Sequence, residues 1–155
     1  MDAKEKELTY REVGSRIAAL TEGEYDEVAL MATVACELHH AFDYFHWTGF
    51  YRRVEESLLK VGPYQGGHGC LSIAFDRGVC GVCASSGETQ LVEDVHSLPY
   101  HIACSATTVS EIVVPVFNGD GKLIAVFDVD SNNSAAFDEI DRENLEKVCE
   151  VFHCL

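Results

Sequence analysis

Along this chain the spacing of apolar positions changes twice, from helical to alternating and back to helical. Thr9 to about Leu20 is a weakly amphipathic helical stretch, interrupted by Gly23. From Glu24 to Ala41, Val28, Met31, Ala32, Ala35 and Leu38 recur at helical spacing, with acids in the first turn and His39 and His40 in the last, as the helix dipole favours. Adjacent residues do not face one another on a helix, so the two histidines predict a helix end, not a metal site. The aromatic run Phe45–Arg53, polar Glu55-Glu56-Ser57 and apolar Leu58–Val61 then predict a β-hairpin. Alternation places Trp47 and Tyr51 on the face opposite Phe50, where they can wall a pocket.

Gly62 to Cys70 (GPYQGGHGC) predicts a loop from its glycines and proline. Short elements follow: a strand over Leu71–Phe75, a helix from Gly78 closed by Gly87, and a strand over Thr89–Val92. A polar loop over Asp94–Thr108 comes next. Ser110–Phe117 and Lys122–Val129 form two strong strands, joined by the turn Asn118-Gly119-Asp120-Gly121. Asp138 caps a last helix whose buried stripe is Ile140, Leu145, Val148 and Phe152. The pattern predicts one α+β domain over residues 1–155. N-terminal helices (about 9–41) and a C-terminal helix (about 138–153) flank a sheet with its loops (about 44–130), and the helices pack on one sheet face.

Composition narrows the function. With 155 residues, 47% of them apolar, the chain can build a single core. Its formal charge of -15, from 11 basic and 26 acidic side chains, argues against nucleic acid and anionic membrane surfaces as partners. The charged start MDAKEKELTY and the short apolar runs lead us to expect a soluble, cytoplasmic protein. Seven cysteines without a secretory signal argue against a structural disulfide framework. Cys36, Cys149 and Cys154 suit burial as small hydrophobes, whereas Cys70, Cys80, Cys83 and Cys104 cluster among glycines and polar residues.

Candidate chemistry centres on Tyr100–Pro115. Cys104 lies in a polar loop with His101, Ser105, Thr107, Thr108 and Ser110, and Glu111 opens the apolar strand. Asp128 and Asp130 are two apart on a strand and share a face. They read either as a solvated strand end or as an acidic pocket in which grouped carboxylates raise one another's pKa. Cys80-Gly-Val-Cys83 matches CxxC but lacks both a second pair at zinc spacing and a thioredoxin-type context, which leaves Cys83 incidental.

WTGFY, GPYQG, GVCG, ETQLVEDV, HIAC, SEIVVPV and FDVDS, in this order, resemble the free methionine-(R)-sulfoxide reductases, stand-alone GAF-domain enzymes. The resemblance implies a six-stranded antiparallel sheet with helices on one face and a ligand pocket on the other. It implies reduction of the free amino acid without cofactor or metal. It places the nucleophile on Cys104, the resolving cysteine on Cys70 and a third cysteine on Cys80. Substrate-binding acids fall on Glu111, Asp128 and Asp130, with Trp47 and Tyr51 against the thioether end. The resemblance further implies a Cys104 sulfenic acid, a disulfide with Cys70 and regeneration by a thioredoxin-like dithiol, and it leaves a homodimer open. Ser105, where Asp is common, Gly69, where a small apolar residue is expected, and the extra Cys83 depart from the family pattern. Two rival readings are a GAF sensory module that binds a small ligand, with no attached effector domain expected, and a zinc scaffold built on Cys70, Cys80 and Cys104.

Overall fold

A computed structural model describes residues 1–102 and 104–155, so Ala103 of the HIAC motif lies outside the described residues. Helix α1 spans Ala3–Leu20, starting earlier than periodicity predicts because Asp2 and Glu5 form a reciprocal capping box (Glu5 N–H to Asp2 Oδ1 2.9 Å, Asp2 N–H to Glu5 Oε2 3.1 Å). Helix α2 spans Glu27–Ala41 with Asp26 as its cap. It buries Leu30, Met31, Val34, Ala35 and Leu38, whereas Val28 and Ala32 face solvent. The expected stripe is corrected by a rotation, because this helix is apolar nearly all round and several stripes fit its sequence equally well. His39 and His40 do close the helix: His39 Nδ1 pairs with the buried Thr48 hydroxyl (3.1 Å) and His40 Nδ1 with Cys36 O (2.8 Å).

Six antiparallel strands follow: β1 Trp47–Glu55, β2 Leu58–Gln65, β3 Ser72–Ala74, β4 Gln90–Val92, β5 Ser110–Phe117 and β6 Leu123–Ser131, in the order β3-β2-β1-β6-β5-β4. Helix α3 (Gly78–Ser86) lies between β3 and β4, and α4 (Glu139–Cys149) follows β6. Strand β2 continues through GPYQ, which corrects the predicted loop. Tyr64 pairs with Gly49 and Val61 with Tyr51, so Gly62 and Pro63 together oppose Phe50 in a bulge. A bulge tolerates a proline that cannot donate to the ladder.

The sheet divides the core. On one face Phe50, Ile112, Val114, Ala125, Phe127 and Val129 pack under α1, α2 and α4. On the other, Trp47, Tyr51, Val113 and Val126 pack with Val79, Cys80, Cys83 and Ala84 of α3. Odd and even positions of β1 therefore do different work, as alternation predicts. Cys149 is buried, but Cys36 is only partly covered and Cys154 is exposed, contrary to expectation. Cys36 turns toward His40 (Sγ to Nδ1 3.8 Å), and Cys154 lies in a terminal 3-10 turn, its thiol donating to Val151 O (3.2 Å). Among the described residues, no helix is long and apolar enough to cross a membrane.

One buried carboxylate ties the helical layer together. Asp141, 0% exposed, takes the Lys6 ammonium (2.6 Å) and the Tyr10 and Tyr44 hydroxyls (2.7 and 2.8 Å). It also accepts the Asp138 N–H (2.9 Å), completing the capping box of α4. Burial alone would depress the Lys6 pKa, but its bonds to Asp141 and Asp138 outweigh this and raise it. Asp141→Ala should cost about 3–5 kcal/mol, because it leaves the buried Lys6 ammonium with only the half-exposed Asp138 (2.9 Å) and strips two phenols of their acceptor. A Lys6→Met/Asp141→Leu pair should lose far less; urea unfolding of the two variants checks the difference.

Candidate active site

The ladder builds the site as rows across the second face of the sheet. Glu111, Asp130 and Trp47 are register partners on β5, β6 and β1, and one pleat along lie Val113, Asp128 and Gly49. Side chains of alternate residues share a face, so three carboxylates stand together on rigid neighbouring strands. The acidic pocket is thus the arrangement the structure adopts, and the solvated strand end is not: Glu111 and Asp128 are 6% and 4% exposed, and Asp130 is partly buried.

An aromatic wall borders the acids. The Trp47 ring stacks between Tyr51 and Tyr64, with centroids 5.6 and 5.3 Å away. Gly49 makes room for it, since a Cβ there would collide with Tyr64 Cβ and lie 2.8 Å from the indole. Tyr64 escapes the sequence reading because GPYQ reads as a loop; its aromatic ring beside WTGFY is the available signal. The loop after β2 lies on this wall. Trp47 Nε1–H donates to Gly67 O (3.1 Å), and a Cβ on Gly69 would sit 2.9 Å from both the Trp47 ring and the Tyr51 hydroxyl. That contact explains glycine where a small apolar residue is expected.

This loop delivers Cys70, and the segment before β5 delivers Cys104. The two form a disulfide with Cα atoms 5.2 Å apart across 34 residues, within the usual span for such a bridge. Cys80 comes from the first turn of α3 and is buried. Cys104, Cys80, Glu111, Asp128, Asp130, Trp47 and Tyr51 all line one cavity. The structure therefore brings every expected site residue together. Ile102, which sequence reasoning does not single out, lines it too and packs against Gly78 at the start of α3. Of the other polar candidates, Thr108 lines the cavity and Ser105 pairs with Thr107 (3.1 Å), while Ser110 Oγ–H donates to Asn133 O (2.6 Å) in a purely structural role. Cys83, fully buried, donates its thiol to Val113 O (3.6 Å).

Electrostatics follow from burial, with no lysine or arginine among the described residues ion-paired to the three acids. Burial pushes all three carboxyls well above their ordinary range; the Asp130 charge adds to this at Glu111, the Glu111 charge at Asp128, and the Asp128 charge at Asp130. Burial, then the Asp128 and Glu111 charges, holds the Cys80 thiol high, and the Tyr51 phenol rises through burial and Asp128. Asp128 Oδ1 is buried with no hydrogen-bond partner. His101 Nδ1 stands 4.0 Å from Glu111 Oε2, and burial followed by the nearby His96 lowers its pKa, favouring a neutral ring. Such a site can host a cationic group, deliver a proton and cycle a thiol pair.

Comparison with known proteins places this geometry. Residues 23–152 match the GAF domain family. Free methionine-R-sulfoxide reductase from Saccharomyces cerevisiae is 40% identical over 140 residues, covering 86% of this chain and 78% of the yeast protein. The free methionine-R-sulfoxide reductase from Neisseria meningitidis, solved in complex with its substrate, superposes with a TM-score of 0.90 at 42% identity, covering 99% of this chain and 91% of that one. The chain belongs to the free methionine-R-sulfoxide reductase family of GAF domains. A further member, the reduced form of the Staphylococcus aureus fRMsr, gives a TM-score of 0.88 at 38% identity over 93% of this chain and 92% of that one. This reductase-family site carries a cost that pH exposes. Carboxyls with raised folded pKa values keep protons that the unfolded chain has lost. Their destabilisation is therefore absent below the ordinary carboxylate range and grows as pH rises toward the folded values. Asp128→Asn should match the parent in melting temperature near pH 4 and exceed it increasingly toward pH 8, by about 2–4 °C per kcal/mol relieved in a chain of this size. A thermal melt series across that range checks the sign.

Proposed function

We propose that this protein reduces free L-methionine (R)-S-oxide to L-methionine. The observation that carries the reading is one cavity lined by Cys104, of the Cys70–Cys104 pair, and by three carboxylates, two buried and one partly buried. The carboxylates suit the ammonium of a free amino acid, which a residue inside a protein lacks. Trp47 and Tyr51 supply an apolar wall for the thioether carbons. The names of the relatives, two of them seen with substrate, support the same substrate.

The thiol cycle balances as follows. The Cys104 thiolate attacks the sulfoxide sulfur. The oxygen takes a proton from a neutral carboxylic acid of the Glu111–Asp128 group and passes to Cys104, which becomes a sulfenic acid as methionine leaves. The Cys70 thiol condenses with it, forming the disulfide and releasing water. A thioredoxin-like dithiol supplies the two electrons that reopen the bridge, in a cytoplasmic setting that keeps thiols reduced. Cys80, its thiol held protonated, is the slower partner in exchange, since thiolate is the reactive form.

With dithiothreitol as reductant, we expect turnover of the free R epimer and at least about 10³-fold less with Cys104→Ser. An N-acetylated, amidated R-sulfoxide should be reduced scarcely at all. Equal rates on the blocked and free substrates, or a fully active Cys104→Ser protein, would overturn the reading.

A further inference from the structure

We propose that Cys80, Glu111 and Asp128 form a binding site for a thiophilic divalent cation of the Zn²⁺ type, so that metal and substrate exclude one another from the pocket. The Cys80 sulfur and one carboxylate oxygen each from Glu111 and Asp128 lie within 4.8 Å of one another, and all three residues are buried. They stand on α3, β5 and β6. None belongs to the Cys70–Cys104 bridge, so the donor set exists with that bridge closed.

An independent observation points to a missing partner. Asp128 Oδ1 is an acceptor buried from solvent with no hydrogen bond, whereas the large majority of buried side-chain polar atoms are paired. Among the described residues, no lysine or arginine forms an ion pair with Glu111 or Asp128. A bound dication would displace the protons these three groups hold, and its charge balances the two carboxylates and the thiolate that result better than one ammonium could. The donor types select the ion. One sulfur and two oxygens suit borderline-soft Zn²⁺, whereas Ca²⁺ and Mg²⁺ want six or more oxygens. Zinc bonds of about 2.0–2.3 Å need only a modest contraction of this triangle. His101 Nδ1, 4.0 Å from Glu111 Oε2, is within reach as a fourth donor and lines the same cavity.

The competition rests on the function proposed above, because Glu111 and Asp128 are also its ammonium partners; the metal binding does not. Co²⁺ is the probe, since its thiolate bond gives a charge-transfer band in the near ultraviolet. Oxidised protein should bind one Co²⁺ and show that band, and the Cys70→Ser/Cys104→Ser variant should retain it. Cys80→Ser should lose the band, and Asp128→Asn should weaken Co²⁺ binding at least about tenfold, with circular dichroism reporting that both remain folded. In single turnover of pre-reduced, desalted protein, Zn²⁺ should raise the half-saturating concentration of free methionine sulfoxide and leave the maximal rate unchanged. No band in folded wild-type protein, a band that survives Cys80→Ser, or one that requires Cys70 or Cys104 would overturn the site. Turnover indifferent to Zn²⁺ would overturn the competition. Absence of all turnover would instead remove the proposed reaction, and the Co²⁺ titration would still decide the metal site.

Discussion

Three carboxyl groups set together on one sheet face, with which no lysine or arginine among the described residues forms an ion pair, are the constraint on which the rest of this structure depends. Glu111, Asp128 and Asp130 each favour the protonated form because burial and one another's charge penalise ionisation. Ionised, that cluster costs the fold stability. Its cost is offset on the other face, where Ile112, Phe127 and Val129 of the same strands are fully buried under the helices. Full burial of such side chains contributes roughly 1.5–3 kcal/mol each. Neighbouring residues on one strand thus serve opposite ends, and the pleat keeps them apart.

A second buried carboxylate shows what a structural acid looks like in the same protein. Asp141 is saturated, with an ammonium, two phenols and a backbone N–H around it. Asp128 is as deeply placed yet leaves an oxygen with no partner. The first pattern locks α1 against α4. The second leaves an acceptor inside a cavity without a protein partner. Chain position alone does not separate the two, since both aspartates read as acids beside an element end.

Much of this was legible in the chain because the informative signals are local. Period-two alternation assigned Trp47 and Tyr51 to one face and Phe50 to the other, and two-residue spacing paired Asp128 with Asp130. Asp138 announced its helix by composition. Other features escaped for physical reasons. The continuation of β2 through Gly62 and Pro63 depends on a bulge against Phe50, a cross-strand matter that loop-forming residues conceal. The buried face of α2 is ambiguous because its apolar residues wrap the helix. The meeting of Cys70 with Cys104, and the need for glycine at 69 under the Trp47 ring, depend on packing between segments far apart in the chain. Resemblance to the family supplied the pairing; spacing did not.

The central claim, that Cys104 acts on substrate while Cys70 resolves it above the carboxylate row, is tested most directly by mapping thiols after one turnover. Pre-reduced protein would be mixed with one equivalent of free methionine (R)-S-oxide and no reductant, denatured, alkylated and analysed by peptide mass spectrometry. The account predicts one Cys70–Cys104 disulfide per methionine formed, with Cys80 and Cys83 alkylated. Methionine formed with Cys104 joined to Cys80, or with Cys104 alkylated and unpaired, would contradict it.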